Sequence, residues 1–149
     1  MQIPSKARAV IIGGGVIGCS IAYHLGKLGW RDVVLLERKQ LTCGTTWHAA
    51  GLIAQLRATQ NMTRLAKYSQ ELYFGLEAET GVATGFKRNG SITVALTDER
   101  MEELRRSAAM ARAFGVEIDE ITPGDIAGRY PGLATGDVVG GVWLPKDGQ

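Results

Sequence analysis

Two cysteines, Cys19 and Cys43, and two histidines, His24 and His48, are all the thiols and imidazoles in this 149-residue chain. There is no C-x-x-C pair and no histidine spacing that would build a zinc site, so a disulfide framework and a structural metal are both excluded as organising elements. Reduced thiols of this kind point to a cytosol-like compartment, and the expected localisation is cytoplasmic. Charge of one sign is also missing. Seventeen Lys and Arg against fifteen Asp and Glu leave a net charge of +2, too little and too well mixed to suggest a nucleic-acid or anionic-lipid partner. Long apolar runs are absent too: "MQIPSKARAVIIGGG" meets glycine after a short hydrophobic stretch, so it reads as neither a signal peptide nor a membrane span. What remains, 45% hydrophobic and 21% charged residues, is ordinary globular composition with enough apolar material for a core.

The first forty residues are the most informative. "ARAVII" (Ala7 to Ile12) is a β-branched run of the kind a buried parallel strand shows, and it breaks at three glycines. The spacing then predicts a helix from Val16 to Leu28 ended by Gly29, and "DVVLLE" (Asp32 to Glu37) predicts a second buried strand. Strand, glycine turn, helix and strand make a βαβ unit. Gly13, Gly15 and Gly18 fit G-x-G-x-x-G: the first permits the tight turn, the second lets a pyrophosphate come close, and the third lets the helix lie against the strand. About 20 residues further on, Glu37 closes the second strand where a ribose-binding carboxylate is expected. An acid there favours an unphosphorylated ribose, hence FAD or NAD over NADP.

After this unit comes "LTCGTTWHAAGL" (Leu41 to Leu52), a loop of small residues that carries Trp47 and His48. Small residues let backbone approach a ligand closely, and a neutral imidazole at pH 7 is a nucleophile, a base or a ligand. With "IIGGGVIGCSIAYHLGKLG" before it, "VVLLERKQLTCGTTWHAAGL" resembles the flavin-dependent amine dehydrogenases of the dimethylglycine and sarcosine dehydrogenase type, within the D-amino-acid-oxidase-like superfamily. "LAKYSQELYFGLEAETG", "GSITVAL" and "GGVWLPKDGQ" are similar to the same group, so the resemblance covers nearly the whole chain.

The resemblance implies FAD as cofactor and an FAD-dependent oxidation of an N-methyl amino acid, by hydride transfer to the flavin. It implies that backbone at Gly13, Gly15, Val16, Ile17 and Gly18 faces the pyrophosphate, and that Glu37 binds the adenosine ribose with Arg38 beside it. Gly44, Thr45, Thr46, His48, Ala49, Gly51 and Leu52 would contact phosphate, ribityl and ring. Relatives with Trp-His in this loop attach the flavin covalently through the histidine, so covalent attachment through His48 is the leading expectation. A non-covalent ring contact and a structural loop histidine are the alternatives. Trp47 packs beside the flavin or fills core under the loop. Arg57 holds a substrate carboxylate or is a solvated helix-side cation, and His24, inside the helix, is assigned no chemistry. No residue is identified as catalytic and none as a metal ligand.

Further on, Met62, Leu65, Ala66, Ser69, Leu72, Tyr73 and Leu76 follow helical spacing and predict a buried stripe, with Gly81 as the stop. "NGSITVAL" predicts a turn and strand, and Thr97 caps a helix with Met101, Leu104, Ala108 and Ala111 as its buried face and Gly115 as its end. "VEIDEI" predicts a strand, Thr122-Pro123 opens a short helix that Pro131 ends, and "VVGGVWLP" predicts a last strand. The expected fold class is α/β: an FAD-binding Rossmann-like βαβ unit with an incomplete parallel sheet over 1–85, then the start of an α+β substrate domain over 86–149. Such a nucleotide domain usually has five or six strands. The chain is therefore expected to be the N-terminal part of a longer enzyme, sticky in isolation, with any folate partner served by a downstream domain. Two other functions stay open. One is an FAD-dependent oxidase or dehydrogenase of another amino acid, with non-covalent FAD. The other is a non-catalytic regulatory relative, against which the Trp47-His48 pair argues.

Overall fold

The β-branched run after Arg8 forms β1 (Ala9–Ile12), the glycine turn follows, and α1 (Val16–Lys27) carries the chain back to β2 (Val33–Leu36). The two strands are parallel, Ala9 opposite Val33 and Ile12 opposite Leu36, a pairing that requires a crossover connection. The computed structural model describes residues 4–149, which divide into a unit ending at Ala50 and a second unit, Gly51–Gln149.

In the first unit α1 buries one residue, Gly18. A Cβ at that position would lie 1.9 Å from the Gly13 carbonyl oxygen, so the missing side chain is what lets the helix lie down on the turn. α1 ends as its sequence predicts, where Gly29 takes a φ of 81°. One expectation is corrected here. β1 and β2 read as buried strands, yet within β1 only Ile11 is buried and Ile12 is 88% exposed. Side chains on a strand alternate between faces, so every second residue of β1 is left open, whereas in β2 Val33, Val34 and Leu35 are all half-buried and Leu36 is exposed.

The second unit is organised by a three-stranded antiparallel sheet made of β3 (Ser91–Ala95), β4 (Asp119–Ile121) and β5 (Gly140–Leu144), in the order β3-β5-β4. α3 (Asp98–Ala113) buries Met101, Leu104, Ala108 and Ala111, the stripe its spacing predicts, in one cluster with Ala95, Val142 and Leu144. The residues that alternate with these, Ile92, Val94 and Trp143, pack instead against Ile121, Ile126 and Val138. Ile126 comes from α4 (Pro123–Arg129), so each face of the sheet has its own helix. Thr97 accepts the Arg100 N–H at the start of α3, with Asp98 and Glu99 in the first turn. Thr97→Ala is expected to cost about 1 kcal/mol through the lost cap, read as a lower urea midpoint with unchanged slope.

α2 (Gln60–Thr80) departs from its amphipathic pattern. Its buried residues are Thr63 and Gln70, whereas Leu65, expected on the core stripe, is 67% exposed and Met62 is exposed with it. Hydrogen bonds to distant backbone decide this. The Thr63 hydroxyl accepts the Arg57 N–H at 3.1 Å and donates to the Arg57 carbonyl at 3.2 Å. Gln70 donates to the Lys146 carbonyl at 2.8 Å and accepts from the Gln55 and Arg88 side chains. Buried Asp147 completes the hub, accepting the Gln55 N–H and the Ser91 hydroxyl. These ties hold α2 to residues 55–57, 88 and 146–147, so it groups by contact with the second unit. Among the described residues no helix is long and apolar enough to cross a membrane.

Candidate functional site

The glycine turn opens α1 without a side-chain cap. Gly13 has a φ of 103°, Gly15 is the N-cap residue with no side chain to offer, and no acidic residue lies in the first turn. Of the first three amides of the helix, Val16 donates to the Thr46 hydroxyl at 2.9 Å. Those of Ile17 and Gly18 have no hydrogen-bond partner among the described residues. Free N–H groups at the positive end of a helix, with no carboxylate of the helix's own to occupy them, form a site for an anion such as a diphosphate.

Glu37, one residue past β2, turns back onto this turn. One carboxylate oxygen accepts the Gly14 N–H at 2.8 Å and the other accepts the Lys39 N–H at 3.0 Å. These two amides, Gly14 first, hold its carboxyl below the usual carboxylate range. Each oxygen keeps lone-pair capacity, enough to accept the hydroxyls of a ribose. A depressed folded pKa means that what the carboxylate contributes is fully present above the unfolded value and lost as pH falls through the folded one. On the ribose-binding role that the resemblance implies for Glu37, a carboxyl held below the ordinary glutamate value of 4.5 stays ionised down to that pH, so adenine-nucleotide affinity is expected to fall only below it. Glu37→Gln, whose NH2 would confront one of the two backbone donors, is expected to weaken ADP binding about 10-fold, with no acid limb in an isothermal titration series.

Around these groups lies a cleft of about 690 Å³. It is lined by eleven of the residues singled out in the sequence: Gly13, Gly15, Val16, Ile17, Gly18, Glu37, Arg38, Gly44, Thr45, Thr46 and Ala49. Ile11, Ile12, Ile21, Lys39 and Cys43 line it as well and had not been singled out. Ile21 was legible, since it stands one helical turn after Ile17, and Lys39 continues the Arg38 cation. Residues Thr45–His48 form a short 3-10 turn, which places Thr45 and Thr46 against the cleft while Trp47 stands 80% exposed. His48 is not among the lining residues. Its Nδ1 lies 3.0 Å from the Gly44 carbonyl, which assigns the proton to Nδ1 and leaves Nε2 with a lone pair in the neutral ring, on an exposed side chain. Gly51 and Leu52 fall in the second unit, where Leu52 lines a separate cleft of about 290 Å³ with Arg57, Met62 and Tyr73. The Arg57 guanidinium donates to the Leu56 carbonyl. His24 Nδ1 lies 2.6 Å from the Ser20 carbonyl in its own helix. No group of His, Cys, Asp and Glu among the described residues is arranged to hold a metal ion.

Comparison with known proteins follows the same lines. The family model described as FAD dependent oxidoreductase matches residues 8–149. Human mitochondrial sarcosine dehydrogenase is 41% identical over 147 residues, covering 98% of this chain and 16% of that protein. The mitochondrial pyruvate dehydrogenase phosphatase regulatory subunit of Mus musculus is also 41% identical over 147 residues, covering 99% of this chain and 17% of that protein. Among solved structures, L-proline dehydrogenase from P. horikoshii superposes with a TM-score of 0.89 at 31% identity, over 98% of this chain and 38% of that one. The chain thus spans about one sixth of the length of these two curated relatives. Both are mitochondrial proteins, which overturns the cytoplasmic expectation: unpaired thiols report a reducing environment, not which compartment supplies it. With the family model matched from residue 8 onward and the glycine turn, Glu37 and the open helix start converging on one cleft, the chain belongs to the FAD dependent oxidoreductase family.

Proposed function

We propose that residues 1–85 form the adenosine and diphosphate half of an FAD site, that 86–149 begin a substrate-side domain, and that the protein oxidises an N-methyl amino acid of the sarcosine or dimethylglycine type. The observation that carries the cofactor site is the cleft in which the unpartnered Ile17 and Gly18 amides face the same space as Glu37 and Thr45. Glu37 accepts the ribose hydroxyls with Arg38 beside it. The α1 amides with Gly13 and Gly15 hold the diphosphate. Thr46, which already accepts the Val16 N–H, has its own hydroxyl proton to donate to a phosphate oxygen. Gly44, Ala49 and His48 continue along the ribityl chain toward the ring. Bound FAD supplies the two-electron acceptor for a hydride leaving the N-methyl carbon, after which water hydrolyses the iminium of the substrate to formaldehyde and the demethylated amine.

The substrate assignment is supported by the identity to sarcosine dehydrogenase. Its test is anaerobic addition of sarcosine or dimethylglycine to the FAD-loaded protein, which is expected to bleach the flavin absorbance and release one formaldehyde per flavin. A yellow protein bleached by neither, but by another amino acid, would move the assignment to the second class of substrate. Equal identity to a phosphatase regulatory subunit supports a regulatory reading, which predicts a protein that stays colourless when offered FAD.

A further inference from the structure

Among the described residues outside glycine, one has a left-handed backbone: Thr42, with a φ of 62°. For a β-branched residue this is a strained conformation, and such conformations persist where surrounding structure holds them. What holds this one is Gly14. The Thr42 N–H donates to the Gly14 carbonyl at 2.8 Å, and the Cys19 thiol approaches the same oxygen at 3.4 Å. Leu41 closes over the glycine from the same turn, its Cδ2 lying 2.4 Å from where a Gly14 Cβ would be. The Gly14 N–H is meanwhile held by Glu37. Gly14 is thus gripped at both of its backbone polar groups, and alone among Gly13, Gly14 and Gly15 it does not line the cleft.

Building on the FAD-site reading above, we infer that Thr42 is a positioning residue that fixes the direction of the Gly15 N–H. The peptide between Gly14 and Gly15 is planar and trans, so its carbonyl and its N–H point in opposite directions. Holding the Gly14 oxygen on the Thr42 N–H aims the Gly15 N–H the opposite way across the peptide, and Gly15 lines the cleft. Without the Thr42 donor this peptide is free to flip, which replaces a donor by a carbonyl oxygen facing the diphosphate. That exchange converts attraction into repulsion between like partial charges. A glycine at position 14 permits such a flip, because it has no Cβ to oppose it, and the strained Thr42 is what suppresses it.

Three variants of the purified intact protein and one measurement on the wild type test this. Thr42→Pro removes the N–H and forbids a positive φ. It is expected to weaken ADP and FAD binding about 10- to 100-fold, the range for one charge-assisted hydrogen bond, while adenosine, which reaches Glu37 but has no phosphate, changes less than about 3-fold. Thr42→Asn keeps the N–H and tolerates the left-handed region, and is expected to restore ADP binding to within about 3-fold. Thr42→Gly keeps the donor without confining it, and is expected to fall between the two. Equal losses for ADP and adenosine in Thr42→Pro would make the residue merely structural and overturn the inference. Should that variant fail to fold, amide hydrogen exchange on the ligand-free wild type decides: a protected Thr42 N–H supports the latch, and an unprotected one overturns it even if FAD binds normally. Wild-type protein that binds adenosine, ADP and FAD not at all would instead refute the cofactor site itself, with Thr42 protection still reporting on the latch.

Discussion

Gly18→Ala is expected to abolish FAD retention and to lower the stability of the βαβ unit by about 2–3 kcal/mol. The added methyl would stand 1.9 Å from the Gly13 carbonyl oxygen, 3.1 Å from its carbon and 3.3 Å from Ile11 Cγ2. Two of these three atoms are backbone of the glycine turn, and no side-chain rotation relieves them. α1 must move away from β1 or the turn must open, and either shift displaces the Ile17 and Gly18 amides and breaks the Val16 to Thr46 hydrogen bond. Gly26 is the internal control. It lies in the same helix with nothing within 4 Å of a built Cβ, so Gly26→Ala is expected to stabilise by about 0.5–1 kcal/mol through helix propensity. Thermal melts and FAD titrations of the two variants separate them. A Gly18→Ala protein that binds FAD like the wild type would mean that the turn and helix do not hold the diphosphate.

On the covalent histidyl-flavin linkage that the resemblance implies, and which we propose for His48, His48→Ala is expected to change the flavin from retained to fully released on acid denaturation, while leaving non-covalent FAD affinity nearly intact. The reason is a division of labour within the loop. Thr46 and Glu37 make the hydrogen bonds that tie the two sides of the cleft, to Val16 and Gly14, and His48 makes neither. Its own hydrogen bond goes to the Gly44 carbonyl through Nδ1, four residues back, which leaves Nε2 as the ring nitrogen with a lone pair, the atom that the proposed linkage requires. Truncation to alanine removes that atom without removing a tie. Flavin fluorescence in the acid-precipitated protein, read beside the supernatant, measures the outcome. Release of all flavin from the wild type would reduce His48 to a contact, with the oxidase or dehydrogenase of another amino acid then the better reading.

The parts of this fold that were legible in the sequence share a local cause. Gly13, Gly15 and Gly18 announce a turn and a close approach by being glycine at fixed spacing. Thr97, with Asp98 and Glu99 behind it, announces a helix start, and the Met101, Leu104, Ala108 and Ala111 stripe announces which face is buried. α2 was misread because its inward face was decided by partners far along the chain. Gln70 bonds the Lys146 carbonyl across 76 positions, and a spacing rule based on hydrophobicity has no means to see such a bond. The cleft shows the same split. Glu37 was identifiable from its distance to the glycines, but that its two oxygens hold Gly14 and Lys39, and so keep it ionised, follows from the turn made after β2. Cys43 and Lys39 joined the lining for the same reason.

By itself the sequence determined the βαβ unit, the glycine turn that opens α1 and the family, because these depend on short-range spacing and on the conformations open to individual residues. Only the tertiary structure decided which face of α2 turns inward, that the Thr46 hydroxyl accepts the Val16 N–H, and that a threonine with a left-handed backbone clasps Gly14. Those outcomes depend on which backbone donors and acceptors are left over once the strands and helices have formed, and leftover groups find their partners through space rather than along the chain.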